Sequence, residues 1–170
     1  MTTQPQLMGV ALAPSDIVYT PDWVARDMVA WFNPCGTVLE PCAGGNAIYK
    51  FLPEGSEWCE IDRGRDFFSY NKHVDWIVSN PPYSLFRAWL QHSLDIADNI
   101  VYLLSLSTFF TSYSRMSDIR DKGWVKHLRI YGTGTKLGFP TGRPMAAFHF
   151  VTGYRGDTSW SWYDNQKGSR

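Results

Sequence analysis

Asn80-Pro81-Pro82-Tyr83 is the stretch of this chain whose residue types and spacing could carry chemistry. It follows Val74-Asp75-Trp76-Ile77-Val78-Ser79, an apolar run that suits a strand covered on both faces. Two consecutive prolines end that strand, because neither has an N–H to donate to the ladder. Asn80 and Pro81 each precede a proline and are pushed towards extended geometry. The product is a stiff corner that can present the Asn80 side-chain oxygen and the Pro81 carbonyl as two fixed acceptors, with Tyr83 just beyond as a stacking face. Such a corner suits a planar amine whose lone pair is conjugated into a ring or carbonyl. Two acceptors drawing on its two hydrogens favour the pyramidal form, return lone-pair density to nitrogen and ready it for attack on an electrophilic methyl group. No strongly basic side chain is needed. A plain strand-end turn is the competing reading of the tetrapeptide alone, so the surrounding elements must decide.

Those elements alternate strand and helix. Thr20 and Pro21 read as N-cap and first residue of a helix whose apolar face is Val24, Met28, Trp31 and Phe32, stopped by Asn33-Pro34-Cys35-Gly36. Thr37-Val38-Leu39-Glu40-Pro41 is a short strand leading to Cys42-Ala43-Gly44-Gly45-Asn46, after which Ile48, Phe51 and Leu52 mark a helical face. Glycines in such a turn let the backbone approach a ligand closely, although the full G-x-G-x-x-G spacing is absent. Glu57 to Asp62 gives a second strand with acids at its end, where a carboxylate can accept from ribose hydroxyls. Beyond the proline corner, Phe86, Leu90, Leu94 and Ala97 make a helix face, and Ile100 to Leu104, Val125 to Tyr131 and Ala146 to Thr152 make strands. Alternation of this kind calls for a mostly parallel sheet with helices on both faces. Ser105 to Ser117, rich in Ser, Thr, Phe and Tyr, is either a lip over the site or a packed-down loop. Lys136 and Arg143 make the glycine loop 132–144 the best phosphate-contacting candidate, with a solvated turn as the alternative. The aromatic alternation of Trp160, Trp162 and Tyr163 allows a short edge strand or a partner contact.

Composition sets bounds on this reading. The 170 residues, 44% hydrophobic and 16% aromatic, suffice for one domain with a full core. Sixteen basic and sixteen acidic residues cancel, so any nucleic-acid footprint must be a local patch. Cys35, Cys42 and Cys59 are odd in number and lack C-x-x-C spacing, which argues against a disulfide framework or a zinc site. The four histidines are scattered without metal-ligand spacing, so no metal is expected. No run reaches the roughly 18 apolar residues of a membrane span, and the N-terminus shows no basic-then-apolar signal. A reduced cytoplasm is the expected location.

Asn80-Pro81-Pro82-Tyr83 resembles the catalytic motif of S-adenosylmethionine-dependent amino methyltransferases, above all those acting on N6 of adenine. The resemblance runs over about residues 17 to 152 and implies a Rossmann-like class I methyltransferase fold, α/β, with a seven-stranded, mostly parallel sheet and an antiparallel final hairpin. It implies S-adenosylmethionine as cofactor and a role for each matching residue. Tyr19, Thr20 and Pro21 correspond to the turn that contacts the methionine end. Glu40, Cys42 and Gly44 correspond to the first motif, around the amino-acid moiety. Glu60 takes the ribose, with Asp62 as the alternative acid, and Ile61 packs on the adenine. Asp66 and Phe67 sit where the family places an acid on the adenine amino group and its apolar neighbour. Asn80 and Tyr83 serve chemistry and base stacking, and Phe148 or Phe150 would close the sandwich on an extruded base, with core packing as the competing reading of both. The domain is then residues 19–152, after a loosely ordered arm (1–18) and before a polar tail (153–170). The implied activity is adenine N6-methylation of DNA or RNA. Protein glutamine amide methylation, or a catalytically silent S-adenosylmethionine-binding subunit, stands as the alternative. Sequence-specific members carry an added recognition segment that this chain has no room for, so little sequence preference is expected. Nucleic acid is the expected partner, bound weakly without a further subunit, and a homodimer would be one way to assemble a groove.

Overall fold

The computed structural model describes residues 6–7, 10–11, 20–111, 113–138 and 142–164, and one sheet organises them. A separate antiparallel pair, β1 (Gln6–Leu7) with β2 (Val10–Ala11), lies in the N-terminal arm. The sheet itself contains β3 (Val38–Glu40), β4 (Glu57–Trp58), β5 (Val74–Ser79), β6 (Ala97–Ser105), β7 (Gly123–Thr133), β8 (Pro144–Thr152) and β9 (Ser159–Trp162). Their spatial order is β4-β3-β5-β6-β8-β7-β9. The first four are mutually parallel, β8 runs against both β6 and β7, and β9 is parallel to β7. The seventh strand therefore comes from the segment read as a tail.

The central strands are apolar without alternation because both of their faces are covered. Ile100, Tyr102 and Leu104 of β6 enter one core together with Ala146, Phe148 and Phe150 of β8. Val101 and Leu103, with Met145 and Ala147, enter the other. Helix α1 (Asp22–Phe32) closes the second core through Val24, Ala25 and Met28. Helix α2 (Phe86–Ile96) closes the first through Phe86, Trp89, Leu90 and Leu94, aided by Phe109 of α3 (Leu106–Phe110) and Ile119 of α4 (Tyr113–Arg120). Among the described residues the Ser105–Ser117 stretch thus forms α3, whose Thr108 and Phe109 are packed down, and the first part of α4, while Phe110 and Tyr113 stay exposed. Ser105 Oγ accepts the Thr108 N–H at 3.2 Å and so caps α3.

Three local expectations are corrected. Helix α1 begins at Asp22 with Pro21 in the cap position and no side-chain cap bond, so Thr20 is not its N-cap. The glycine turn leads only to a 3-10 turn, Tyr49–Phe51, because Pro53 cannot continue a helix beyond Leu52. Helix α2 stops at Ile96, and Ala97 is already extended as the first residue of β6.

Side-chain bonds tie distant elements to this frame. Thr37 N–H and Oγ1 both donate to Asp75 Oδ2, at 2.7 and 2.8 Å, joining the starts of β3 and β5. Gly36, at φ +75°, passes so close that a Cβ there would lie 2.2 Å from the same oxygen. Arg129 of β7 donates to both carboxylate oxygens of Asp27 on α1, at 3.0 and 2.9 Å, and to the Trp162 carbonyl at 2.8 Å. Tyr131 Oη donates to Asp27 as well, and Trp31 lies 3.8 Å over the guanidinium. This buried charge cluster fastens α1, β7 and β9 together.

Candidate active site

Neighbouring parallel strands bring their carboxyl ends to one edge, so β4, β3 and β5 deliver Glu60, Glu40 and Asn80 side by side. At the end of β5 the chain turns through Pro81 and Pro82, both buried, into a 3-10 turn, Tyr83–Leu85, closed by the Leu85 N–H on the Pro82 carbonyl at 3.1 Å. The Asn80 side chain is half-buried, and its Nδ2 donates to Thr20 Oγ1 at 3.1 Å. Thr20, 7% exposed, is held there by the start of α1. Tyr83 packs against both cores, and its hydroxyl is buried with no hydrogen-bond partner among the described residues. Burial pushes that phenol well above its ordinary value, so it stays protonated.

Beside this corner lies a cradle built on the glycine turn. Gly44 adopts φ +48°, which a side chain would disfavour, and donates its N–H to Glu60 Oε2 at 2.6 Å. Glu60 Oε1 accepts the Asp62 N–H at 3.3 Å, so the carboxylate caps the turn Ile61–Arg63 while it anchors the glycine turn. Arg63 reaches back over the same turn, donating to the Gly44 carbonyl at 2.5 Å and to Asn46 Oδ1 at 3.1 Å. Arg63 was not singled out from the sequence. Its part depends on the Ile61–Arg63 turn folding back towards Gly44, and no spacing signal announces that. Glu40 is 2% exposed, and its Oε2 has no hydrogen-bond partner among the described residues. Burial raises its pKa to about 9, with the Glu60 charge adding and the Tyr49 backbone N–H and Arg63 opposing. Burial likewise pushes the half-buried Cys42 up to about 12, so it remains a thiol and not a nucleophile.

Other expected site residues divide by exposure. Ile61 and Asp66 are half-buried beside the cradle, and Asp66 Oδ1 accepts the Phe68 N–H at 3.0 Å. Lys136 and Arg143 are exposed on the loop between β7 and β8, and a Cβ at Gly138 of that loop would stand 3.9 Å from Pro21 Cγ. The loop therefore borders the Thr20–Asn80 corner. Tyr19 lies outside the described residues. Three aromatic assignments are corrected by burial. Phe67 is 1% exposed, with its ring 4.8 Å from Trp89 and 4.7 Å from His92, so it has no open face for an adenine. Phe148 and Phe150 are 0% exposed, stacked on each other at 5.9 Å and packed on Phe109, so neither can receive a base. Core packing is their role, because the face of β8 that carries them is roofed by α2 and α3.

Among the described residues there is no cluster of His, Cys, Asp or Glu that could hold a metal ion, and no helix long and apolar enough to cross a membrane. No family model and no curated protein matches the sequence. Solved structures do match in three dimensions. A chain from the type I restriction–modification system shares 14% identity at a TM-score of 0.63, over 89% of this chain and 46% of its own. A protein from Listeria monocytogenes assigned to the class I S-adenosylmethionine-dependent methyltransferases shares 10% identity at a TM-score of 0.59, over 89% of this chain and 65% of its own. The fold is the class I methyltransferase fold. A third likeness with the same fold is to a protein from Pyrococcus horikoshii assigned as an RNA methyltransferase, with 14% identity and a TM-score of 0.54 over 77% of this chain and 80% of its own. The chain spans about half the length of the type I system chain that it resembles.

Proposed function

We propose that this chain is an S-adenosylmethionine-dependent N-methyltransferase acting on the exocyclic amine of adenine in DNA or RNA, with little sequence preference. The observation that carries the reading is the placement of the Asn80 amide at the end of β5, one strand away from the buried Glu40 Oε2, which has no hydrogen-bond partner among the described residues. The residues of the cradle fit the cofactor. Glu40 offers a carboxylate to its ammonium group, the positive-φ turn at Gly44 admits close approach, and Glu60 offers acceptors to ribose hydroxyls. Cys42, Ile61 and Asp66 would complete the contacts with the amino-acid and adenine moieties, with Thr20 and Pro21 bordering the methionine end. When bound, the cofactor supplies an electrophilic methyl group.

The protein's own contribution is to prepare the attacking nitrogen. Asn80 Oδ1 and the Pro81 carbonyl accept the two amine hydrogens, which favours the pyramidal nitrogen and places acceptors where positive charge develops. Tyr83 supplies the aromatic surface beside the reacting ring, and its unionised phenol adds no charge there. Lys136 and Arg143, exposed on the bordering loop, are placed to meet phosphates. Protein glutamine amides present the same conjugated nitrogen and form the competing substrate class. A second reading, a catalytically silent S-adenosylmethionine-binding subunit that completes a partner, draws support from the likeness to a chain of the type I restriction–modification system, in a structure that concerns complex assembly. Mass spectrometry of nucleosides and peptides after incubation with isotopically labelled cofactor separates these. Label in N6-methyladenine supports the proposal, label in glutamine replaces it, and cofactor binding without label in either favours the subunit reading.

A further inference from the structure

We propose that β9 is a dimerisation edge: two copies of this chain join their sheets by antiparallel pairing of Ser159–Trp162 with its own symmetry mate, so that Trp160 of one copy stands opposite Trp162 of the other. The inference goes beyond the function proposed above and is read out by mass, so the two are tested separately. The strand lies at the end of the sheet with β7 on one side, and among the described residues no strand pairs with its other side. Its sequence, Ser-Trp-Ser-Trp, carries neither the charge nor the proline that commonly blunts an open edge. Its side chains divide by face. Ser159 and Ser161 meet the two ring nitrogens of His127 at 2.7 and 2.9 Å, so Trp160 and Trp162 stand on the other face, beside Leu128 and Ile130 of β7. There the two indoles are 61% and 59% exposed and pack edge to face on each other at 5.6 Å.

A second copy is the occupant that this geometry selects. The Tyr163 N–H donates to the Ile130 carbonyl of β7 at 2.8 Å. Backbone groups alternate along a strand, so those of Ser161 also face β7, and those of Trp160 and Trp162 turn to the open edge. About a twofold axis at Ser161, Trp160 of one copy and Trp162 of the other exchange their N–H···O=C bonds, and each indole gains an indole neighbour on the same face. The Trp162 carbonyl already accepts from Arg129 and keeps a second lone pair for this bond. A shift by one residue would oppose the outward groups of Trp160 to Ser161, whose own groups face β7, so the self-pairing has one register. A chain of zero net charge does not repel its copy, and a strand without a cation offers nothing to phosphates. The exposed indole surface amounts to about 300 Å² per copy. That is less than half of the roughly 800 Å² per partner of a stable complex, so the dimer is expected to be reversible, with a Kd roughly micromolar. Because the paired strands run in opposite directions, the sheet edges that carry Asn80 point away from each other, and each copy keeps a separate site.

The test is sedimentation velocity of the full chain from submicromolar to high micromolar concentration. Wild type should pass from monomer to dimer over that range. The double variant Trp160→Lys with Trp162→Lys sets like charges across the pairing and should stay monomeric, with its thermal unfolding midpoint near that of wild type. Ser161→Cys, made together with Cys35→Ser to remove the exposed thiol, keeps both tryptophans. It should yield a disulfide-linked dimer on mild oxidation, because the twofold axis sets the two Cα atoms at position 161 about 4.5 Å apart. Should the double lysine variant unfold, this cross-link decides alone. A wild type that remains monomeric throughout overturns the inference, and so does a dimer that survives both lysines or that Ser161→Cys fails to cross-link. A monomeric wild type whose tryptophan fluorescence is quenched by a single-stranded oligonucleotide, with no quenching in the double lysine variant, would give the edge to nucleic acid and overturn it as well.

Discussion

Glu40→Gln removes an ionisable group from the cradle while keeping its shape, and its consequence follows from burial. The folded chain holds the Glu40 carboxyl protonated up to about pH 9, against an ordinary value of 4.5. Between those limits the folded state carries about one proton more than the unfolded chain. Stability linked to Glu40 is therefore fully present below pH 4.5, declines by about 1.4 kcal/mol per pH unit, and is lost once pH passes 9. At neutral pH the accumulated loss is about 3 kcal/mol, a large part of the 5–15 kcal/mol that holds an average domain together. Urea titrations of wild type and Glu40→Gln from mildly acidic to mildly basic pH give the comparison directly. The wild-type curve should fall relative to the variant as pH rises. Parallel curves would refute the reasoning, because they would mean that Glu40 is solvated or already ionised. The cofactor provides the second half of the experiment. An ammonium set against Glu40 Oε2 lets the carboxylate ionise, so binding at neutral pH should expel close to one proton. Calorimetry in two buffers of different ionisation enthalpy measures that proton, and Glu40→Gln should release none.

Asn80→Ala should lower the methyl-transfer rate by roughly 10²–10³, by analogy with loss of one oxyanion-hole donor, while cofactor affinity measured by calorimetry stays near wild type. Asp27→Ala leaves Arg129 buried without its carboxylate partner, and chemical denaturation should register a loss of about 3 kcal/mol or more, with the β9 edge exposed first in hydrogen exchange. Matched single- and double-stranded oligonucleotides assayed at several salt concentrations should show preference for the single strand. Extruding a base from a duplex costs a few kcal/mol, and a chain of zero net charge offers little phosphate attraction to offset it. Strong preference for a duplex bearing one short sequence would refute that expectation.

Much of the frame was legible because it is encoded locally. The apolar run 74–78 followed by two prolines gives a buried strand and a stiff corner in any context, and β5 with its corner lies where that reading put it. The spacing of Ile48, Phe51 and Leu52 suggested a helix, yet Pro53 leaves those few residues only a 3-10 turn. The choice between core and site for the aromatic residues was left open by the sequence. Phe148 and Phe150 lie two apart on one face of β8, as residues lining a site would, and only the roof of α2 and α3 above that face makes them core. Phe67 is buried for the same reason, by contact with Trp89 and His92 of a helix that follows it in the chain.

What the sequence by itself determined is therefore the order of strands and turns, and which residue types stand at the strand ends. Those follow from backbone chemistry within a few residues. Tertiary structure alone decided three things: that Glu40 is buried at its strand end, that Trp160 and Trp162 belong to a seventh strand, and that the Thr20 hydroxyl meets Asn80 and does not cap its own helix. Each depends on contacts between segments far apart in the chain, where desolvation and hydrogen-bond geometry are set by the partner element and leave no periodic trace in either segment.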